Sequence, residues 1–399
     1  MKILFHHRIA SRDGQAVHMD ALKAALEMLG HTVILVGPAR TARLKFGDGD
    51  GPVALLKRTL PRAVYELLEF AYNIVAVPRL WSAIRRHRPD AIYERYNLFS
   101  LAGPLLRGFY GIPLVLEVNA PICEERAEID GLALHRFAAW SQRTAWRRAD
   151  YALPVTKVLA DYLRREDVPE ERIVVIPNGI DAERFADLPD RETAKQRLGL
   201  GGKLVLGFTG FVRPWNGLDR VIDLLTVCGA SFDVHLLLVG DGPARAQLEQ
   251  RARQAGVGDR MTITGIVPRE QVGNHLAAFD IALQPGVTAY ASPLKLFEYM
   301  AAGLAIIAPD TANIREILTD RVDALLIDPT RAEALVAAVM ELCRDSPLRR
   351  RIGAAARATI DRRGLTWLNN ARLIAALIAE RLARDPAHQA RGAARSRLS

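Results

Sequence analysis

Short apolar runs alternate with stretches of helical periodicity along the chain. Ile3–Phe5 is followed by a helical pattern over 17–29, then by Gly30-His31 and the run Thr32–Val36, which spells strand, helix, strand. Further strand-like runs occur at Ala91–Tyr93, Leu114–Val118, Tyr151–Pro154 and Ile173–Ile176, with helical patterns between them. The series then restarts. Leu204–Phe208, Val234–Val239, Met261–Thr264, Ile281–Gln284, Ala305–Ala308 and Ala324–Ile327 read as strands, and Leu218–Val227 and Ala244–Ala255 as helices. Strands alternating with helices predict parallel sheets covered on both faces. Two such series predict an α/β chain of two Rossmann-like domains facing a cleft. Pro177-Asn178-Gly179 are turn formers and mark the boundary, giving domains 1–180 and 181–364. The last helical run, Trp367–Leu382, occupies segment 365–382 and is long enough to pack back on the first domain. The basic, Ala- and Arg-rich tail 383–399 is predicted to be disordered.

A length of 399 residues fits two domains rather than one core. Half of the residues are hydrophobic and a quarter charged, the mix of a globular protein. Cys123, Cys228 and Cys343 are far apart, show no metal-ligand spacing and read as buried free thiols in a reducing compartment. No apolar run approaches the roughly 18–20 residues needed to cross a bilayer, and MKILFHH is too short an apolar start for a signal peptide. A cytoplasmic location is expected. The formal charge of +9 changes this picture locally. Between Arg40 and Arg88 stand ten Lys/Arg against four acids, interleaved with Leu67, Leu68, Ile74, Trp81 and other apolar residues. That mixture suits an anionic membrane surface or an acidic lipid-linked substrate, and equally a solvated helix pair. Nucleic acid is not expected, because no binding motif accompanies the charge.

Four segments can carry chemistry. In Ser292–Gly303, Pro293 suits the first turn of a helix, Ser292 its N-cap, and Gly303 its end. Leu294, Leu296, Phe297 and Met300 supply apolar surface. Lys295 sits where the helix dipole disfavours a cation, an objection that a bound phosphate removes. Glu298 shares its face and can accept hydrogen bonds from ribose hydroxyls; a plain surface ion pair is the simpler reading of the two. In Gly207–Gly217, Gly210 lets backbone approach a phosphate and Arg213 can grip a diphosphate; an ordinary strand–loop–helix turn with an exposed arginine is the simpler reading of that segment alone. In Ser11–His18, Gly14 and His18 lie where ligands meet a parallel sheet, although GxGxxG is absent and His18 reads equally as a helix-surface histidine. Glu117, an acid inside an apolar strand, and Glu94-Arg95, either a cleft pair or a structural ion pair, complete the set.

These residues resemble a family 4 glycosyltransferase with the GT-B fold. The resemblance spans nearly the whole chain and rests on motifs in order: the Gly14 loop with His18, Gly30-His31-Thr32-Val33, YERYN at 93–97, EVNAP at 117–121, IPNGID at 176–181 with Phe185, the Gly210 loop, LLLVGDGP at 236–243, Thr264-Gly265 and SPLKLFEYMAAG at 292–303. It implies a retaining, metal-independent transfer from a nucleotide-sugar donor held by the second domain, with a lipid-linked or glycan acceptor entering from the first and no cofactor. It implies catalytic roles for Arg213, Lys295, Glu298 and Glu117, the first two stabilising the leaving diphosphate. Donor contacts fall to Gly210, Asn216, Gly240, Gly265, Ser292, Pro293, Leu294 and Leu296. Acceptor or cleft contacts fall to Gly14, His18, Glu94, Arg95 and Asn119. The chain departs from the family at Phe211 and Asn216, where cations are usual, at Tyr290, where the first Glu of Glu-x7-Glu is usual, and at Asn119, where a histidine is often found. A branch with an SP-x-K segment is more similar, and there Lys295 takes over phosphate binding. An asparagine cannot be a base, so any such role passes to Glu117. The competing readings are a degenerate GT-B scaffold, which the departures motivate, and a sugar-nucleotide epimerase, which would want more carboxylates and histidines converging.

Overall fold

The computed structural model describes residues 1–9, 14–38, 59–129, 131–229 and 231–384. The chain divides into two units, Met1–Pro177 with Trp367–Ser399, and Asn178–Thr366.

In the first unit, β1 (Lys2–His6), β2 (Thr32–Val36), β3 (Ala91–Arg95), β4 (Leu114–Val118) and β5 (Tyr151–Pro154) form one sheet in the order β2-β1-β3-β4-β5. Every pairing is parallel. The strands are apolar runs because helices cover both faces, and all five residues of β4 are buried, Glu117 included. Strand order reverses between β1 and β3, which makes their carboxyl ends the switch point where ligands bind. The helix Trp367–Ala383 belongs to this unit. Its Asn370 donates to the Pro177 carbonyl (2.7 Å), and its Arg381 shares Asp150 with Arg107 at 2.8 Å each.

One predicted strand fails. Val174 N–H and Ile176 N–H donate to the Ala152 and Pro154 carbonyls, but only an isolated bridge at Ile173 results. Continuing the ladder requires a return bond from residue 154, and proline has no N–H to give.

In the second unit, β6 (Leu204–Thr209), β7 (Val234–Val239), β8 (Met261–Ile263), β9 (Ile281–Leu283), β10 (Ala305–Pro309) and β11 (Leu325–Ile327) order as β11-β10-β9-β6-β7-β8, again all parallel. Alternation along the strands splits the core between the two faces. Leu206, Phe208, Leu236 and Leu238 pack with the helix Leu218–Cys228, while Val205, Leu237 and Val239 share a cluster with Leu296, Phe297 and Met300. The switch point here lies between β6 and β9. All three cysteines are buried and free. Of the basic stretch, 39–58 lies outside the described residues, as does the tail from 385. Among the described residues no helix is long and apolar enough to cross a membrane.

Candidate active site

The helix Leu294–Ala301 is pinned across the switch point of the second unit by Tyr299. Its hydroxyl accepts from Thr209 N–H at 2.9 Å and reaches the Leu283 carbonyl at 3.4 Å, joining the ends of β6 and β9. This holds Lys295 at the end of β6. Its Nζ lies 3.6 Å from the centroid of the Phe208 ring, and a Cβ on Gly210 would come within 3.5 Å of it. Burial pulls the ammonium down to about 7, against the opposing charge of Glu298. Burial likewise raises the Glu298 carboxyl above its usual range, and the charges of Lys295, Arg269 and Arg184 act the other way. A desolvated lysine beside a glycine-lined strand end gains from an anion.

The glycines of the neighbouring loops serve each other. Gly240 has φ +141°, and a Cβ there would sit 2.1 Å from the Gly210 carbonyl oxygen. Gly210 N–H donates to the Val239 carbonyl and Val212 N–H to Asp241, both at 2.9 Å. The need for glycine at 240 is thus close approach of two backbones, so its expected donor contact becomes support of the Gly210 loop. Gly265 bridges to Gly240. Asn216, also expected at the donor, folds the loop: its Oδ1 accepts from Arg213 N–H at 2.8 Å. The Arg213 guanidinium lies 4.8 Å from the Phe211 ring and 4.9 Å from the Trp215 ring, a cation–π clamp that orients it.

Two expectations for this segment are corrected. Ser292 does not cap the helix; Pro293 is the N-cap, with no side-chain cap bond. The Ser292 hydroxyl accepts instead from Asn178 N–H (3.2 Å), whose side chain donates to the Ser292 carbonyl (2.6 Å). Leu296 is wholly buried in the core and its N–H donates to the Pro293 carbonyl, so it has nothing to offer a donor, whereas Leu294 at the helix start is partly exposed. The sequence reading missed Gln284, whose buried Oε1 has no hydrogen-bond partner among the described residues at the end of β9. Its place on the switch strand was the available signal. It also missed Asn313, fully buried, which holds the loop before the helix through the Thr288 and Ala291 carbonyls.

In the first unit Glu117 is the centre of a buried network. Tyr93 Oη donates to Oε2 (2.5 Å) and His18 Nε2 lies 3.0 Å from the same atom, while Arg95 and Asn119 donate to Oε1. Burial alone would raise its pKa; the charges of His18 and Arg95 and the hydrogen bonds from His18 and Tyr93 win, and the carboxyl is held well below its usual range. A carboxylate with both oxygens committed and so weak a basicity is a poor general base, so the role expected for Glu117 becomes positioning of Arg95 and Asn119. His18 is spent on the same carboxylate and packs against Trp367 with the rings tilted and their centroids 4.7 Å apart, buried rather than offered to a ligand. Glu94 and Arg95 do not pair, because neighbours on a strand face opposite ways. Glu94 lies 3.0 Å from His6 and accepts from Ser100. Gly14 is the exposed first residue of the helix Gly14–Met28, and 10–13 lie outside the described residues. A cavity of about 260 Å³ opens at the ends of β1, β3 and β4, lined by Arg8, Arg95, Asn97, Asn119, Glu125 and Arg126 among others. Among the described residues no group of three or more His, Cys, Asp or Glu could hold a metal ion.

The Glycosyltransferase Family 4 model matches residues 12–184, and the Glycosyl transferases group 1 model matches residues 190–359. The chain belongs to the family 4 glycosyltransferases. This hexosyltransferase-type enzyme is 27% identical over 351 residues to the 2-deoxystreptamine glucosyltransferase of Streptomyces kanamyceticus, covering 82% of this chain and 89% of that one. It is 28% identical over 370 residues to the GDP-mannose-dependent alpha-(1-6)-phosphatidylinositol dimannoside mannosyltransferase of Mycobacterium tuberculosis, covering 89% of each. The structure of Anabaena HepE in complex with UDP superimposes with a TM-score of 0.74 at 18% identity, over 95% of this chain and 100% of that one. The fold of this glycosyltransferase is therefore GT-B.

Proposed function

We propose that this glycosyltransferase transfers a hexose, with retention, from a nucleotide-sugar held by the second unit to a lipid-linked or glycan acceptor held by the first, in cell-envelope or surface polysaccharide assembly. The observation that carries the reading is Lys295, a half-buried cation beside Gly210 at the β6–β9 switch point. As the glycosidic bond breaks, charge grows on the diphosphate, and a cation already fixed in low dielectric stabilises that charge without reorganising. Arg213, clamped between Phe211 and Trp215, supplies the second cation in place of those missing at 211 and 216. Glu298 accepts from the donor ribose, and the donor phosphate itself takes the acceptor proton, so neither a metal nor a protein nucleophile is required. Relatives named for a GDP-mannose donor and a phosphatidylinositol-based acceptor, and a neighbour solved with UDP, support the substrate classes.

A thermal-shift panel of UDP-, GDP-, ADP- and dTDP-sugars tests this. At a ligand concentration a hundredfold above Kd, stabilisation is about 2.7 kcal/mol, a rise of roughly 5 °C or more for a unit of this size. One nucleotide should produce it. Silence across the whole panel favours the scaffold reading.

The first unit also presents a surface suited to an anionic membrane. The helix Arg62–Ala71 is inverted: Glu66 is 2% exposed, accepting from Ala133 and Leu134 N–H, and Glu69 pairs with Arg126 at 2.8 Å, while Leu67 is 52% exposed. On the helix Asn73–His87, Ile74 is 77% exposed and Arg85 lies 4.9 Å from the exposed Trp81 ring. The acids face inward, so the outward face is apolar and basic, complementary to anionic lipid. The protein is expected to co-sediment with phosphatidylglycerol vesicles and not with phosphatidylcholine, and to lose this in L67S/L68S. Binding indifferent to lipid charge contradicts it.

A further inference from the structure

The cavity in the first unit is smaller than the roughly 300–1,000 Å³ of sites that enclose a whole ligand, so it takes one group of an acceptor. It opens at the β1–β3 switch point: Arg8 follows β1, Arg95 ends β3 and Asn119 follows β4. Its three arginines are not equivalent. Arg95 is bonded to Glu117 and Arg126 to Glu69. Arg8 has no carboxylate within ion-pair distance among the described residues; its contacts are the Leu98 carbonyl at 3.3 Å and the face of Tyr72, 4.6 Å from the ring centroid. Guanidinium groups can only donate, and one of the two Asn119 amide N–H groups is spent on Glu117. Glu125 is the one acid among the lining residues.

Resting on the reading of the first unit as the acceptor half, we infer that this cavity binds a polyhydroxylated acceptor group bearing one phosphate-type anion, with Arg8 as its specificity-determining residue. Hydroxyls meet the amides of Asn97 and Asn119, and the anion completes the coordination of Arg8, which burial strips of water and whose pKa burial lowers. Arg95 and Arg126, each already paired with a carboxylate, shape the wall, and the uncompensated charge of Arg8 repels an amine.

Direct titration of the full-length Lys295→Ala chain, in which the phosphate site of the second unit is disabled, tests this with glucose 6-phosphate, glucose and glucosamine. Glucose 6-phosphate should bind about tenfold or more tighter than glucose, in line with a charge-assisted hydrogen bond, and glucosamine should bind most weakly. Adding Arg8→Gln should erase the preference for the phosphate, and Arg8→Lys should restore part of it. Equal binding of the three sugars, or a preference that survives Arg8→Gln, overturns the inference. A donor-induced thermal shift retained in the single Arg8→Gln chain shows that the variant is folded. The same shift in the unmodified chain keeps a failure here separate from failure of the donor-site reading. Phosphatidylglycerol vesicles that displace glucose 6-phosphate assign the anion to a lipid headgroup; binding that persists in their presence assigns it to a soluble sugar phosphate. Either result supports the chemistry of the cavity.

Discussion

Lys295→Ala should lower transfer by about 10²–10³-fold while leaving the fold intact. Removing one preorganised group from a developing oxyanion has that order of effect. Here Lys295 is the cation seated against the Gly210 loop, with Arg213 placed on its own aromatic clamp. Stability should change by less than about 1 kcal/mol, because loss of the Phe208 cation–π contact is offset by relief of a desolvated charge. The unfolded lysine keeps its proton up to about 10.5 and the folded one only up to about 7. Between those values the unfolded chain binds more protons, so the wild type should gain stability with rising pH, and Lys295→Ala should lose that slope. Steady-state rates and melting curves across pH check both halves.

Glu117→Ala should destabilise the first unit by about 3 kcal/mol or more, the scale for removing one partner of a buried ion pair. The substitution strands Arg95 and leaves Tyr93 Oη, His18 and Asn119 without their shared acceptor. Because the chain has two units, unfolding should be followed by hydrogen exchange, with protection lost in β1, β3 and β4 and kept in β6 and β7. The pH dependence has a definite sign. The unfolded carboxyl titrates near 4.5 and the folded one well below it. Its contribution is therefore complete above about 4.5 and declines as pH falls below that value. Glu117→Gln should show a flatter acid limb.

The strands were legible because a parallel strand buried on both faces must be an apolar run, as β4 and β7 are. Ile173–Ile176 has the same composition, and only the partner's Pro154 denies it a ladder. Ser292 illustrates the limit of local rules: its hydroxyl is taken by Asn178, far away in sequence, so cap propensity lost to a tertiary bond. Lys295 was legible because a cation at a helix start is locally costly. Arg8 and Arg126 were not, since nothing local marks them, and only the convergence of β1, β3 and the helix Ile122–Ile129 brings them to one cavity. Glu94 and Arg95 show the opposite error, where adjacency in sequence suggested a pair that strand geometry separates.

On the proposed reading, Lys295 receives the donor diphosphate as a cation. Calorimetric titration of the nucleoside diphosphate that stabilises the chain, into wild type and Lys295→Ala at pH 7.5 and 9, decides whether it does. Wild-type affinity should fall by about twentyfold between these pH values as a lysine with pKa about 7 loses its proton, and binding to the variant should be weak and independent of pH. Equal affinity and equal pH dependence in the two proteins would contradict it.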